Sequence, residues 1–359
     1  MNKKIILSTG GTGGHVFPMI AFYDYLVSKN YEVTFITDQR AKKYFNKDMQ
    51  NNVKIYNINS PYNKKGLLKI FAFLKLILSM ISSFFFLLKQ KPKIIIGSGG
   101  YASFPVLMAA YFLGIKIVIY ETNSILGRTN KFFYKFARKL LLGFDNIADL
   151  PIQYQHKAVY VGQLLRKSFS LENSEIYNKK KDFFTILILG GSQATHFFGS
   201  TLAKIFSEIC NNKNSIKIFH QCKKEDVDQI KFSYGSFSNY ELFEFNHNIS
   251  EIMIQSDLAV TRSGSSTISE LVALNTPFVA VPLPTSLDNH QYHNAKYFED
   301  RGCCWIVEQH QFDSEKFTKL ITNIVSNDKN QLIEIRRNMK LIAKQNVFYK
   351  FENEIVKYF

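Results

Sequence analysis

The sequence predicts an α/β protein made of two doubly wound, Rossmann-like halves, and three observations carry that prediction. An aliphatic run ends in a glycine cluster three times: Ile5-Ile6-Leu7-Ser8-Thr9-Gly10-Gly11-Thr12-Gly13-Gly14-His15, Ile94-Ile95-Ile96-Gly97-Ser98-Gly99-Gly100-Tyr101, and Ile186-Leu187-Ile188-Leu189-Gly190-Gly191-Ser192-Gln193. Each reads as a buried parallel strand opening into a tight loop and then a helix. Strand-like and helix-like segments also alternate, which implies a parallel sheet with helices on both faces. Finally, the pattern restarts after a polar stretch at 163–182, and 359 residues suit two domains of ordinary size.

The elements follow in order. Met1-Asn2-Lys3-Lys4 before Ile5-Ile6-Leu7 has the outline of a signal peptide, but the apolar stretch is too short and runs straight into glycines. It reads as the first strand, 4–9, with further strands at 32–37, 53–58, 93–97, 115–120 and 139–143. Helical stretches fall at 16–29, 39–47, 67–90, 103–113 and 127–137. In the second half a strand at 184–189 enters its glycine loop and a helix runs to about 211, with strands near 216–220, 241–245, 257–261 and 277–281. The tail from Gln331 to Phe359 is helix-like. The expected division is a first domain at 1–162, a linker at 163–182, a second domain at 183–345, and a terminal helix at 346–359 packing back on the first domain. Such halves would frame a cleft between the C-terminal ends of their strands, where ligands of open α/β sheets bind.

Composition bounds the partners. Hydrophobic residues make up 46% of the chain, ample for folded cores, and the formal net charge is +16. That excess suits a phosphorylated substrate, an acidic lipid surface or nucleic acid, although a solvated lysine-rich surface reads the same way. No nucleic-acid reading module accompanies it. Cys210, Cys222, Cys303 and Cys304 show neither CxxC spacing nor a metal-type pairing with histidines, which fits buried thiols in a reducing compartment.

The segment Leu67 to Leu88 is nearly long enough to span a bilayer and is flanked by Lys64-Lys65, Lys89, Lys91 and Lys93. Lys69 and Lys75 lie inside it, and crossing a membrane there would split the sheet. A wholly buried crossover helix and a core helix whose exposed face dips into the membrane interface both remain; the basic flanks and phenylalanines favour the second.

Glycine loops at helix starts let backbone N–H groups approach phosphate, so three of them point to phosphate-rich ligands. The first loop is an incomplete dinucleotide fingerprint, with Gly11 and Gly13 but Val16 at the third position; Asp38 could still mimic a dehydrogenase's ribose-binding acid. His15 stands at the helix start, where an imidazole kept unprotonated by the helix dipole can take a proton from an attacking hydroxyl. A capping or packing histidine is the plainer reading. Ser263-Gly264-Ser265-Ser266-Thr267, leading into a helix with Glu270, suits a diphosphate and ribose hydroxyls, as would a simple helix cap. Asp226-Val227-Asp228 is a DxD, but it sits in a charged stretch that reads as a solvated helix rather than a metal site.

Gly10-Gly11-Thr12-Gly13-Gly14-His15-Val16-Phe17-Pro18, Gly97-Ser98-Gly99-Gly100-Tyr101-Ala102-Ser103-Phe104-Pro105, Gly190-Gly191-Ser192-Gln193 and Arg262-Ser263-Gly264…Ser269-Glu270, in this order, resemble the MurG family of bacterial N-acetylglucosaminyltransferases. The resemblance implies a GT-B fold and an inverting transfer of N-acetylglucosamine from UDP-N-acetylglucosamine to the C4 hydroxyl of an undecaprenyl-diphosphate-linked muramyl pentapeptide, lipid I, giving lipid II. It implies no metal or other cofactor, and a peripheral place on an anionic membrane surface at the cytoplasmic face of the plasma membrane. His15 matches the family's candidate base. Thr12, Gly13, Gly14, Asn123, Arg166, Ser192, Asn246, Ser265, Ser266, Thr267, Ile268, Ser269, Glu270 and Gln291 match the donor side; Gly99, Gly100, Tyr101 and Glu121 match the acceptor side. Departures are Tyr120 and Thr122 in place of His and Gln beside Glu121, no Asn-Pro before Arg166, Ala194 in place of a glycine, and His290 in place of a glutamine. A related fold acting on another lipid acceptor such as diacylglycerol, or a non-catalytic nucleotide-binding membrane protein, are the alternatives.

Overall fold

The computed structural model describes the chain except residues 1–2, 12, 46–48, 50, 57–65, 148, 170–182, 192–196, 212–214, 245, 247, 327–328 and 344–345, with the side chains of 68 and 69 also left aside. It divides into two compact units, Met1–Arg166 with Lys344–Phe359, and Lys167–Ala343.

Unit 1 is built on a seven-stranded parallel sheet with strand order β3-β2-β1-β4-β5-β6-β7. The strands are β1 Lys4–Ser8, β2 Glu32–Asp38, β3 Val53–Tyr56, β4 Ile94–Gly97, β5 Lys116–Glu121, β6 Lys139–Leu142 and β7 Ala158–Tyr160. The central strands are continuous apolar runs because helices cover both of their faces. Ile5 and Leu7 face one core and Ile6 the other, as the two-residue period of a strand requires. Helix α1 (Gly13–Ser28) covers the first face, α2 (Leu67–Gln90) and α3 (Ser103–Phe112) the second, and α4 (Arg128–Phe133) follows β5.

Unit 2 repeats the plan with six parallel strands in the order β10-β9-β8-β11-β12-β13. These are β8 Phe184–Leu189, β9 Ile216–Gln221, β10 Tyr240–Phe243, β11 Leu258–Thr261, β12 Phe278–Ala280 and β13 Cys304–Ile306. Its helices are α5 Leu202–Asn211, α6 Val227–Tyr234, α7 Ile249–Gln255, α8 Ser265–Ala273, α9 His290–Glu299, α10 Ser314–Ser326 and α11 Lys329–Ile342. In each sheet the strand order reverses beside the first strand, between β1 and β4 and between β8 and β11. All three glycine loops therefore open at a topological switch point, the edge where such sheets hold ligands.

Several expectations need correction. The helix expected at 39–47 is a 3₁₀ turn, Gln39–Tyr44, because the Asp38 carboxylate accepts from the backbone N–H of Arg40 and caps a tighter turn. The helix expected at 127–137 ends at Phe133. Strands β7 and β13 have only three residues each, too short for an alternation to register. The helix-like tail is interrupted: α11 belongs to unit 2, and the terminal helix expected to pack on the first domain does so as α12 (Val347–Val356), burying Val347, Phe351 and Ile355 in the unit 1 core. Glu352 on α12 accepts hydrogen bonds from the hydroxyls of Tyr25 (2.6 Å) and Tyr31 (2.9 Å). Residues 163–166, expected in the linker, are packed into unit 1: Leu164 is buried, and Gln163 Nε2 donates to the Thr122 carbonyl at 2.9 Å.

Helix α2 is not the wholly buried crossover. Its inward stripe is narrow, comprising Ala72, Leu76, Ser79, Ser83 and Leu87, while Phe71 and Phe85 are 60% and 65% exposed, alongside Ile70, Leu74, Ile77, Leu78 and Ile81. Phe112 of α3 and Phe132 of α4 are exposed as well. By length and composition alone, α2 is the one helix among the described residues able to cross a membrane.

Candidate functional site

In unit 1 the loops after β1 and β4 interlock. A Cβ on Gly100, whose φ is +76°, would lie 2.2 Å from the Gly10 carbonyl oxygen, and one on Gly10 would lie 2.5 Å from the Cβ of Ala102. Only glycine permits this approach. Side chains complete the junction. Ser98 Oγ donates to Thr9 Oγ1 (2.7 Å), and Thr9 Oγ1 donates to the carbonyl of His15 (3.2 Å). His15 is thus held from below on the first turn of α1, half-buried. Its Nδ1 lies 3.4 Å from Thr122 Oγ1, just past β5. In the tautomer that donates from Nδ1 to Thr122, Nε2 keeps its lone pair and can accept a proton.

Glu121 lies beneath the loop that follows β5. It is fully buried, and both carboxylate oxygens are engaged: Oε1 by the N–H (2.9 Å) and Nδ2 (3.0 Å) of Asn123, Oε2 by the N–H of Gly127 (2.9 Å) and Nδ2 of Asn130 (2.7 Å). Burial pushes its carboxyl pKa up, and the hydrogen bonds act in the opposite direction. Through these bonds Glu121 fixes the turn that presents Asn123. Tyr120 is structural in the same way. Its hydroxyl donates to the Gly162 carbonyl (3.1 Å) and accepts from Leu164 N–H (3.0 Å), bracing 162–164 against β5. Arg166 stacks its guanidinium 4.6 Å from the ring of Phe17 on α1. Gly99, Gly100 and Tyr101 lead into α3, where the Ser103 hydroxyl bonds the carbonyl of Gly100 (2.8 Å). Asp38 is buried and accepts from Gly11 N–H (3.1 Å) and the Arg40 guanidinium (2.6 Å), so it is committed to the loop and not offered to a ribose.

In unit 2, α8 begins at Ser265, and Gly264, the residue before it, has no side chain with which to cap the first turn. Ser265, Ser266, Ile268, Ser269 and Glu270 are buried, Thr267 is partly buried, and the hydroxyls of Ser263 and Ser269 have no hydrogen-bond partner among the described residues. A helix start that follows a glycine and carries a cluster of serine hydroxyls is suited to an anion. Gln291 Oε1 accepts from Leu283 N–H (3.0 Å), which ties the loop after β12 to α9. Asn246 Oδ1 accepts from Asn248 N–H (2.7 Å) ahead of α7. Thr12 and Ser192 lie outside the described residues, and Gly13 and Gly14 open α1. Asp226 and Asp228 sit at the start of α6; among the described residues no group of three or more His, Cys, Asp or Glu side chains gathers to hold a metal.

Sequence reasoning missed Thr9, Ser98 and Asn130, the polar supports of the first site. Thr9 and Ser98 had a signal: each is a hydroxyl residue just past an aliphatic strand and directly before a glycine.

Comparisons with known proteins agree with this architecture. Residues 5–142 match the glycosyltransferase family 28 N-terminal domain and residues 185–355 the family 28 C-terminal domain. A protein of Pelagibacter ubique is 36% identical over 357 residues, covering 99% of this chain and 98% of its own. One of Rickettsia bellii is 37% identical over 333 residues, covering 91% and 92%. Both are named UDP-N-acetylglucosamine--N-acetylmuramyl-(pentapeptide) pyrophosphoryl-undecaprenol N-acetylglucosamine transferase. In fold, the chain is similar to the crystal structure of Acinetobacter baumannii MurG, with a TM-score of 0.75 at 23% identity and 99% of each chain covered. It is similar also to the UDP-GlcNAc 2-epimerase of Neisseria meningitidis bound to UDP-GlcNAc, with a TM-score of 0.67 at 13% identity, covering 99% of this chain and 100% of that one. Two parallel sheets with glycine loops at their switch points, family 28 domains in both halves, and relatives of this identity along nearly the whole length lead to one assignment: the chain has the GT-B fold and belongs to glycosyltransferase family 28, within the MurG family.

Proposed function

We propose that this chain transfers N-acetylglucosamine from UDP-N-acetylglucosamine to the C4 hydroxyl of the muramyl group of lipid I, releasing lipid II and UDP. The observation that carries the reading is the full-length similarity to transferases of that name, joined to an imidazole held on the first turn of α1 with a ring nitrogen beside a hydroxyl. His15 Nε2 takes the C4 hydroxyl proton as that oxygen attacks the sugar's anomeric carbon, and the bond from carbon to the diphosphate oxygen breaks with inversion. Charge developing on UDP is met by the N–H groups and hydroxyls of Ser265, Ser266, Thr267 and Ser269 at the α8 start, and Glu270 accepts from ribose hydroxyls. Ile268 contributes backbone only, since its side chain is in the core.

Thr12, Gly13, Gly14, Asn123, Arg166, Ser192, Asn246 and Gln291 are assigned to the donor by family resemblance, and Gly99, Gly100 and Tyr101 to the acceptor. Unit 1 takes the acceptor and unit 2 most of the donor. The exposed apolar face of α2, with Phe112 and Phe132, supports docking on an anionic membrane surface, where a polyprenyl-linked acceptor resides. The location is then the cytoplasmic face of the plasma membrane, as a peripheral protein.

The test uses labelled UDP-N-acetylglucosamine with a lipid I analogue, in parallel with diacylglycerol. Label should enter the lipid I analogue, and His15→Ala should cut turnover by about 10²- to 10⁴-fold while UDP binding persists. Transfer to diacylglycerol alone would overturn the acceptor, and full turnover by the variant would remove His15 from the mechanism.

A further inference from the structure

We infer that Arg262 is a positioning residue for donor binding, a buried tie that joins the loops at the ligand-facing edge of the second sheet. It is the first residue after β11 and directly precedes Ser263-Gly264-Ser265. The residue is buried, 6% exposed overall. Nη1 donates to the carbonyls of Val281 and Pro282 (both 3.1 Å), at the head of the loop after β12. Nη2 donates to Gln309 Oε1 (2.7 Å), in the 3₁₀ turn after β13. The guanidinium carbon lies 4.6 Å from the ring centroid of Phe198 and 6.0 Å from that of Phe197, in the π-helical turn that follows the β8 glycine loop. One side chain therefore joins segments following β8, β11, β12 and β13, which are consecutive in the sheet.

Those segments carry the polar groups facing the edge. The Ser263 hydroxyl, one residue on, is buried with no hydrogen-bond partner among the described residues, as is that of Ser269. Leu283, next to Pro282, holds Gln291. A loop that leaves hydroxyls unsatisfied must be kept in shape by contacts elsewhere, and Arg262 supplies them. Burial pushes its pKa down to about 10, so the fork keeps its charge at neutral pH. A lysine in its place would keep charge but could not reach two carbonyls and an amide in one plane while stacking on an aromatic face.

The inference rests on the reading that Ser263 to Glu270 hold the donor's diphosphate and ribose. Arg262→Lys and Arg262→Met are measured for UDP affinity by calorimetry, for KM and kcat with UDP-N-acetylglucosamine, and for thermal unfolding. Both should weaken UDP by about tenfold or more and raise the donor KM more than they lower kcat. Gln309→Ala, which removes a single bond, should weaken UDP a few-fold and covers the case in which the Arg262 variants do not fold. Ser266→Ala and Glu270→Gln are run beside them. If these two weaken UDP while Arg262→Lys binds like the parent, the inference fails and the donor assignment stands. If neither of the two affects UDP, the donor assignment fails first. A lower unfolding temperature with unchanged UDP affinity, or a parental Gln309→Ala where the Arg262 variants do not fold, would reduce Arg262 to a packing role and overturn the inference.

Discussion

Replacing Gly100 by alanine tests whether the two glycine loops of unit 1 are locked together. Gly100 has φ +76°, and its added Cβ would sit 2.2 Å from the carbonyl oxygen of Gly10, about 1 Å inside ordinary contact. Gly114 is a built-in control: its φ is +66°, but a Cβ there meets none of the described residues within 4 Å. The left-handed backbone costs about 1–2 kcal/mol at either site, offset by roughly 0.4–1 kcal/mol of lost unfolded-chain entropy. Gly114→Ala should therefore lose about 1 kcal/mol. At Gly100 the obstacle is backbone and cannot rotate away, which adds about 1–3 kcal/mol. For a unit of this size the total corresponds to a fall in melting temperature on the order of 10 °C, against a few degrees for the control. Thermal unfolding followed by circular dichroism reads the difference. Activity at 25 °C should fall in Gly100→Ala beyond the loss of folded protein, because Gly10 and His15 share the loop that Ser98 and Thr9 tie together. Equal losses of stability in the two variants would refute the interlock.

Two further outcomes concern pH and the membrane. His220 is buried, with Nδ1 2.8 Å from the Tyr234 hydroxyl and Nε2 beside the Phe198 carbonyl, and burial pushes its pKa from 6.5 to about 4. The unfolded chain binds a proton that the native state refuses, so stability is complete above pH 6.5 and falls as pH drops towards 4, by about 3 kcal/mol in all. Urea unfolding monitored by Trp305, the single tryptophan and a part of the unit 2 core, should show this slope in the parent and a shallower one in His220→Gln; identical slopes would refute it. Phe71→Asp with Phe85→Asp should lower co-sedimentation with anionic vesicles on the order of a hundredfold and spare turnover of a water-soluble acceptor analogue. Unchanged sedimentation would remove α2 from membrane contact.

Much of the candidate site was legible because its requirements are local. Glycines at 10, 99, 100 and 191 mark places where backbone must turn or approach closely, and three of the four have positive φ. A helix start after serines and glycine was readable at 263–266 for the same reason. Roles set by distant partners were not readable. Glu121 looks like a cleft carboxylate until Asn130 and Gly127 are seen to consume its oxygens. Tyr120, a departure from the usual histidine, becomes intelligible once its hydroxyl meets 162–164. Arg262 stood in a motif, yet its carbonyl, amide and ring partners lie 19 to 64 residues away, counting Val281, Gln309 and Phe198.

By itself, then, the sequence determined the two parallel sheets and their phosphate-type loops, since buried parallel strands are contiguous apolar runs and glycine's backbone freedom is a property of single positions. Tertiary structure decided where the helices of the tail divide, which face of α2 stays uncovered, and which polar side chains brace the loops. Those outcomes depend on what packs against what, and burial is a property of neighbours that no stretch of chain carries alone.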